Sequence, residues 1–357
     1  MAPKFPILFV ITFLSALATS LIGSYVLSMM LPNHQGSDGS QVKLVKTFTK
    51  TQELVVNCDN FFHGKPWPLL ESFKPSTHVK LCQTTAGDVD NEVHFASMFD
   101  IKTRIPIYSA NVVSLSEDSP DLPRPASKYW NRVSESLCNL NKVPERSIAS
   151  QIGHDLDKDK CGHNQAEARD YKLNGLHLDR GHLSPNSINA DDHDKQIATF
   201  TLTNAAPQFA KFNEYSWRVY ECVTKQAIMD LVPNEEVYII TGTWGAAKDA
   251  DGNDLWINED GEDEGKNPVL VPGFYWKAVC YPGSASKSAW AYALVQENIN
   301  EVKETSPKEF INIQEFSNKY FKEDLFGPVC MAAGFGSFAS VFADWNSYVV
   351  KNCPAPF

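Results

Sequence analysis

The stretch from Leu178 to Glu221 restricts the chemistry of this chain more than any other, because it carries an arginine, a histidine and an asparagine in close succession. His182 follows Asp-Arg-Gly, and an imidazole with its ordinary pKa of about 6.5 can accept a proton near neutral pH. Asn213 offers a neutral oxygen suited to a hard cation such as Mg²⁺. Arg180 carries a permanent charge on a planar fork that fits phosphate oxygens. These are the groups that hydrolysis of a phosphodiester requires.

The order of these motifs resembles that of the DNA/RNA non-specific endonuclease family. Segments 103–110, 237–242 and 272–277 also look like strands of this family, and the likeness covers about residues 90–345. With the upstream Cys82 segment and an apolar N-terminus, the chain is most similar to the endonuclease domain-containing 1 type of the family. The motifs that carry the resemblance are Asp179-Arg180-Gly181-His182, then Asn204 with Pro207-Gln208, then Asn213 with Glu221 eight residues later.

The resemblance implies an α+β, ββα-metal nuclease fold, with a central mixed or antiparallel sheet flanked by helices and held by disulfides. We expect one such domain at residues 58–357. The implied activity is metal-dependent endonucleolytic hydrolysis of DNA and RNA with little sequence preference, giving 5′-phosphate products. One Mg²⁺ or Mn²⁺ ion per site and no organic cofactor are expected.

The resemblance also implies a role for each site residue. His182 would deprotonate the attacking water, Arg180 would neutralise the phosphate, and Asn213 would hold the ion. Glu221 and Asn204 would assist through metal-bound waters. On a regular helix, residues eight apart fall within about 80° of each other, so one helical side could present both Asn213 and Glu221. A helix N-cap is the alternative role for Asn213, since asparagine is favoured there.

Three further residues are candidates near this site. Arg124, in Leu-Pro-Arg-Pro, lies about where the family places a phosphate-binding arginine. Lys225 stands where relatives often have arginine, and a lysine keeps the charge but loses the bidentate fork. Asp179 is expected to fix a loop beside the site without binding metal.

The N-terminus and the cysteines predict the secretory pathway. Residues 5–31 are almost wholly apolar, which is typical of a signal peptide, although the run is also long enough for an uncleaved membrane anchor. Residues 32–57 would then form a tether. All eight cysteines lie downstream, so up to four disulfides are expected. Eight cysteines allow 105 pairings, and the pairing of Cys58 with Cys82 is suggested only by their proximity.

A formal net charge of −11 argues against a nucleic-acid partner when taken alone. Much of it is local, because residues 248–266 hold eight acids and two lysines. We expect this segment to be an exposed loop directed away from the substrate. The runs 249–253 and 155–159 begin like calcium loops but lack the glycine and glutamate that such loops need, so solvated loops are favoured.

Hydrophobic patterning predicts the remaining elements. Strands are expected at 92–99, 105–113, 199–203, 236–241, 274–281 and 289–296, helices at 214–231 and 310–321, and mostly loop at 114–160.

Two other functions fit the same residues. A catalytically silent nucleic-acid-binding or interaction protein could retain this fold, although such a protein has no need of a general base. An enzyme restricted to one polymer or to strand ends is the second alternative, because groove shape rather than motif sets that preference.

Overall fold

The structure is a computed structural model, and the residues described belong to a unit spanning Val55–Phe357. They are residues 58–64, 67–69, 73–85, 92–125, 130–133, 146–154, 164–167, 170–171, 176–257, 268–321 and 323–354. The predictions for residues 5–31 and 32–57, and for the loop 155–159, lie outside the described residues.

The described part of the chain contains thirteen strands, nine of which form one sheet. Their bounds are β1 His78–Thr84, β2 Phe95–Asp100, β3 Ile105–Val113, β4 Asn131–Val133, β5 Arg146–His154, β6 Leu178–His182, β7 Ala205–Phe209, β8 Val237–Ala246, β9 Trp256–Ile257, β10 Val269–Leu270, β11 Pro272–Tyr281, β12 Trp290–Glu297 and β13 Phe310–Ile311. The large sheet has the order β13-β12-β11-β8-β3-β2-β1-β5-β4, and β9 with β10 and β6 with β7 form two small sheets. Only β1 and β5 pair in parallel, so the sheet is mixed but mainly antiparallel.

Six α-helices lie in the described residues. They are α1 His193–Ala198, α2 Arg218–Leu231, α3 Ile313–Tyr320, α4 Pro328–Ala332, α5 Ala339–Ala343 and α6 Trp345–Asn352. A π-helical turn, Phe212–Trp217, runs directly into α2.

The large sheet is buried on both faces. Successive side chains of a strand point to opposite faces, and β11 shows the result. Tyr275 and Val279 belong to one apolar cluster, together with residues of α2 and of the β6–β7 pair. Trp276 and Ala278 belong to a second cluster on the other face, which includes residues of α3 and α4. The sheet therefore separates two cores, and the side facing α2 carries the candidate site.

The predicted strands at 92–99, 105–113, 236–241, 274–281 and 289–296 are confirmed as β2, β3, β8, β11 and β12. The strand predicted at 199–203 is wrong, because Leu202–Asn204 forms a 3₁₀ turn and the strand begins only at Ala205. The prediction that 114–160 is mostly loop missed β4 and β5.

Both helix predictions are right in type and wrong at their starts. Phe310 pairs with β12 as part of β13, and the Asn312 side chain then accepts hydrogen bonds from two backbone N–H groups to begin α3. The helix predicted to start at residue 214 begins earlier, because the π turn that runs into α2 already includes Asn213.

Three disulfides link described cysteines. The predicted Cys58–Cys82 bond is confirmed. The other two join Cys222 to Cys353 and Cys280 to Cys330. These bonds indicate an extracellular or secretory-pathway protein, since disulfides persist in oxidising compartments. Among the described residues, none of the helices has the length and apolar character needed to cross a membrane.

Candidate active site

A ββα unit, formed by β6, β7 and the π turn leading into α2, builds the site. β6 and β7 are antiparallel, with His182 opposite Ala205. The β6–β7 pair packs closely on the sheet, so a Cβ on Gly181 would collide with the Gln208 side chain and meet the Tyr275 hydroxyl at 2.8 Å. Glycine is thus the residue that lets the strand before His182 approach β11.

A cleft of about 620 Å³ lies between the β6–β7 pair and α2. Five of the residues predicted from the sequence line it, namely Arg124, His182, Asn213, Glu221 and Lys225. Asp121, Asn186, Glu214, Tyr215 and Arg218 contribute to the same wall. Neither Arg180 nor Asn204 is among the residues that line this cleft.

His182 is packed against two aromatic rings. Its ring centre lies 4.7 Å from that of Trp130 and 5.0 Å from that of Phe200. Burial lowers the pKa of His182 well below its ordinary value, and the charges of Arg124 and Arg180 lower it further. The imidazole is therefore neutral, and able to accept a proton, at lower pH than an exposed histidine.

Aromatic faces hold both arginines beside the histidine. The Arg180 guanidinium carbon lies 5.0 Å from the Trp130 ring centre, and that of Arg124 lies 5.6 Å from the Phe200 ring centre. Such cation–π contacts orient a guanidinium without neutralising it. Arg180 and His182 both contact the ring of Trp130. Arg124, by contrast, is exposed and lines the cleft.

The amide of Asn213 is oriented by the carboxylate of Asp179. Asn213 Nδ2 donates a hydrogen bond of 2.9 Å to Asp179 Oδ2, so the amide oxygen is the atom left for a ligand. Asn213 lies inside the π turn, in which the N-cap position belongs to Lys211. The N-cap alternative for Asn213 is therefore wrong, while the expectation that Asp179 supports the site agrees with this contact.

Asn204 lies in the protein interior below the cleft. Its Oδ1 accepts hydrogen bonds from the Ser109 hydroxyl and the Ser184 backbone N–H, and its Nδ2 donates to the carbonyls of Ser184 and Thr199. All of these distances are 2.9 or 3.0 Å. The amide is used at both ends, so this arrangement gives Asn204 a positioning role for the segment after His182 and leaves no atom for a metal-bound water.

Glu221 lines the cleft one helical turn after Trp217. Burial raises the pKa of Glu221, while the charge of Lys277, the Trp217 indole and the charge of Arg124 act in the opposite direction. Burial lowers the pKa of Lys277 to about 8, and Glu221 opposes that shift. Lys225, one turn further along α2, forms a 2.8 Å ion pair with Asp121 at the rim.

Sequence reasoning missed Trp130, Lys277 and Asn186. Trp130 lies in a stretch predicted to be loop and offered no motif. Lys277 carried a signal, because it is a single lysine within the otherwise uncharged strand β11. Asn186 follows the Asp-Arg-Gly-His motif closely, and its side-chain oxygen is buried at the cleft.

Sequence comparison identifies the class of protein that this fold and site define. The sequence profile described as DNA/RNA non-specific endonuclease matches residues 75–321, which is more than half of the chain. The chain therefore belongs to the DNA/RNA non-specific endonuclease family, as the motifs predicted.

Two curated relatives are called Endonuclease domain-containing 1 protein. The one from Homo sapiens is 28% identical over 284 residues, which are 75% of this chain and 47% of the human protein. The one from Mus musculus is 27% identical over 251 residues, which are 67% of this chain and 41% of the mouse protein. The chain thus matches less than half the length of either relative.

A solved structure is also similar to part of this chain. It is a crystal structure of an EndoG/EndoGI complex that addresses the mechanism of EndoG inhibition, with 18% identity and a TM-score of 0.42. The match covers 64% of this chain and 81% of the other.

The cleft residues fit a hard divalent cation bound by few protein ligands. Among the described residues there is no group of three or more His, Cys, Asp or Glu side chains that could form a metal cage. The donor set is instead an oriented amide oxygen on Asn213, a carboxylate on Glu221 and the buried Asn186 oxygen, which has no hydrogen-bond partner among the described residues. Mg²⁺ is usually bound in this manner, since it keeps several waters and takes one or two protein oxygens.

Proposed function

We propose that this protein is a metal-dependent endonuclease that hydrolyses phosphodiester bonds of DNA and RNA with little sequence preference and leaves 5′-phosphate ends. The observation that carries the proposal is one cleft that is lined by a neutral histidine, an amide oxygen oriented by a carboxylate, a half-buried glutamate and an arginine. Few other reactions need all four groups within one cleft.

His182 acts as the general base. Trp130 and Phe200 hold its ring, and the neutral form that burial favours accepts the proton of the attacking water. A positioned base of this kind contributes about 10²–10⁴ in rate.

The remaining residues bind and orient the substrate. Arg124 lines the cleft and neutralises the phosphate, and Lys225 lies at the rim. Arg180 contacts the Trp130 ring outside the cleft and adds its positive charge. Asn213 would hold the ion, and Glu221, which lines the same cleft, would assist through a water of that ion. A divalent cation such as Mg²⁺ or Mn²⁺, when bound, stabilises the charge that develops on the phosphate and on the leaving oxygen.

The proposal includes the cellular location of the protein. The disulfides, together with the apolar residues 5–31, support export through the secretory pathway. The protein is then secreted, or is held at a membrane if that segment stays attached.

Incubation of the purified full-length protein with circular plasmid, and separately with RNA, tests the activity. We expect nicking of the circle, which an enzyme restricted to strand ends cannot perform, and loss of both activities with chelator. His182→Ala should lower the rate by about 10²–10⁴. His193→Ala is the matched control, since His193 is exposed at the start of α1 and outside the cleft.

Two outcomes would contradict the proposal. A His182→Ala protein within threefold of the wild-type rate would exclude the base. Binding of DNA by the wild-type protein without any cleavage at saturating Mg²⁺ or Mn²⁺ would instead favour the silent binding protein.

A further inference from the structure

Tyr215 is an exposed aromatic residue in the wall of the cleft. It lies in the π turn Phe212–Trp217, lines the cleft together with Asn213, and has 37% of its surface accessible. Among the described residues its hydroxyl forms no hydrogen bond and its ring contacts no other aromatic ring. A single exposed tyrosine on an ordinary surface would need no explanation. Its position beside the proposed ion and phosphate sites is what requires one.

The π turn that carries Tyr215 is packed firmly on the sheet. Phe212 and Trp217 are buried, and their ring centres lie 5.8 and 5.6 Å from that of Tyr275 on β11. The opposite side of the turn presents Asn213 and Tyr215 to the cleft. The aromatic ring is therefore held next to the residue proposed to bind the ion, by a turn that has its own apolar anchors.

Arg218 follows on the same wall of the cleft. Two backbone carbonyls orient its guanidinium, because Nε donates a 3.2 Å hydrogen bond to the carbonyl of Glu214 and Nη2 donates to that of Pro354. The disulfide between Cys222 and Cys353 ties this end of the chain to α2. Neutral acceptors leave the charge of Arg218 uncompensated, and it forms no ion pair among the described residues. A guanidinium has five N–H donors, so three remain for a ligand.

The two side chains match the two parts of one nucleotide. An aromatic ring stacks on a base, and a guanidinium binds phosphate oxygens. Side chains three positions apart on a helix are neighbours, with Cβ atoms about 5–6 Å apart, so both can contact the same nucleotide. Glu214 is exposed and lines the cleft between them. Its negative charge makes this wall a poor track for phosphates alone, which favours a subsite that also uses the face of the base.

The face of a base is accessible in an unpaired strand. Within a duplex the bases are stacked on one another and present only their edges in the grooves. Stacking on an aromatic ring is also tolerant of sequence, because every base has a π face. A subsite of this kind selects unpaired strands without selecting a sequence.

We propose that Tyr215 and Arg218 form a subsite for one nucleotide of an unpaired strand, beside the scissile phosphate, with its base on the Tyr215 ring and its phosphate on the Arg218 guanidinium. The inference rests on the proposed function for the class of substrate, and it adds a preference for single-stranded segments together with the residue that sets this preference.

Binding by the full-length His182→Ala protein in the presence of chelator tests the subsite without cleavage and without metal. The probes are a short oligothymidylate, the same strand with abasic sugars in place of its nucleotides' bases, and a duplex of equal length, each followed by fluorescence anisotropy. Tyr215→Ala should weaken binding of the oligothymidylate by about five- to tenfold, the low end of what one base–aromatic stack contributes, and should leave the affinities for the abasic strand and the duplex within about twofold.

Two control variants separate the ring from other causes. Tyr215→Phe keeps the ring and removes only the hydroxyl, so it should bind like the parent protein. Phe274→Ala removes an aromatic side chain of similar exposure, 41%, whose neighbour Trp276 packs in the core on the other face of the sheet, and it should not affect binding. Tyr215→Leu keeps an apolar side chain without an aromatic face and repeats the test if the alanine variant does not fold.

Arg218→Gln should change a different quantity. It removes one phosphate contact, so the slope of log K against log salt on the single strand should become shallower by about 0.7. Tyr215→Ala should leave that slope unchanged, because stacking releases no counterions.

Equal losses of affinity for the oligothymidylate and the abasic strand, or no loss for either, would overturn the inference. So would a Tyr215→Phe protein that binds as weakly as Tyr215→Ala, an unchanged salt slope in Arg218→Gln, or a parent protein that binds no single strands. A wild-type protein that binds single strands in this Tyr215-dependent manner but cleaves none at saturating Mg²⁺ or Mn²⁺ would refute the proposed function and leave the subsite standing.

Discussion

Replacement of Arg124 by glutamine should shift the acid limb of the activity profile to higher pH. His182 acts as a base only when its ring is neutral, so activity falls as pH drops through its pKa. Because burial and the two arginines lower that pKa, the limb of the wild-type protein should lie below the ordinary histidine value of about 6.5. Removal of one arginine removes part of the repulsion that disfavours the imidazolium.

The size of this shift follows from the geometry. The Arg124 guanidinium carbon lies 5.6 Å from the Phe200 ring centre, which lies 5.0 Å from the imidazole centre. The charge is therefore within about 11 Å of the ring, where two unit charges repel by about 0.4 kcal/mol in water and about 1.5 kcal/mol at an effective dielectric constant of 20. These energies correspond to about a 2- to 13-fold change in the equilibrium between the charged and the neutral imidazole. Arg124 is exposed, so solvent screening favours the lower half of that range.

The dependence of kcat/KM on pH is the appropriate measurement, because it reports the pKa values of the free enzyme. It should be recorded from about pH 4 to 8 at saturating Mg²⁺ and constant ionic strength, on wild type and Arg124→Gln. Lys225→Gln is the control, since Lys225 already pairs with Asp121 and does not contribute to the low pKa of His182. A wild-type limb at or above 6.5, or a limb that moves down in Arg124→Gln, would refute the reasoning.

Three further predictions follow from the same structure. Asn213→Ala should raise the Mg²⁺ concentration for half-maximal rate more than Glu221→Ala does, because a direct ligand contributes more than one acting through water; the reverse order in metal titrations would exchange the two roles. Loss of the Cys222–Cys353 bond, whose partners are 131 residues apart, should cost about 5 kcal/mol in denaturant unfolding, against about 3.5 kcal/mol for the bond of Cys58, whose partners are 24 apart. A smaller loss for the longer loop would contradict this loop-closure argument. DNA binding by the inactive histidine variant at constant Mg²⁺ should give a slope of log K against log salt of about −2 to −4, since few cations line the cleft, whereas a slope steeper than about −7 would reveal a basic surface outside it.

Much of the sheet could be predicted from the sequence because its strands are long and apolar. β8, β11 and β12 read as continuous hydrophobic runs, which is typical of strands buried on both faces. The short elements could not be predicted in this way. Thr201 to Asn204 alternates like a strand, but the Asn204 side chain bonds to backbone groups on both sides and stabilises a tight turn instead.

The site, too, could be predicted where it depends on sequence motifs and could not where it depends on tertiary contacts. The motif order indicated His182, Asn213, Glu221, Arg124 and Lys225, and the structure brings all five to one cleft. The helical geometry was assumed to be regular, whereas a π turn carries Asn213 and lets its amide reach Asp179. Single π turns within α-helices are frequent at functional sites, but their position depends on tertiary contacts and leaves no periodicity in the sequence.

The single lysine of β11 stands out in the sequence, but its burial could not have been predicted for a related reason. A lone lysine in a strand pattern is ordinarily an exposed residue at an edge or on a solvated face. The burial of Lys277 follows from the central position of β11 between β8 and β12, and its ammonium group contacts Thr241 on β8 and the ring of Trp217 before α2. None of these relations is local, since the three residues lie on separate elements.

The contacts of Lys225 and Arg124 at the cleft bear on how an acidic protein could bind a polyanion. Lys225 pairs with Asp121, so part of its charge is already compensated before substrate arrives. Arg124 forms no ion pair among the described residues and rests on the face of Phe200. An aromatic face orients a guanidinium but leaves its net charge intact, whereas a carboxylate would have to be displaced by the phosphate. We therefore expect Arg124 to contribute more binding energy than Lys225, beside the proposed base. The same two aromatic rings that bury His182 also hold Arg124 and Arg180 beside it, so one small cluster could combine a neutral base with a cationic phosphate site.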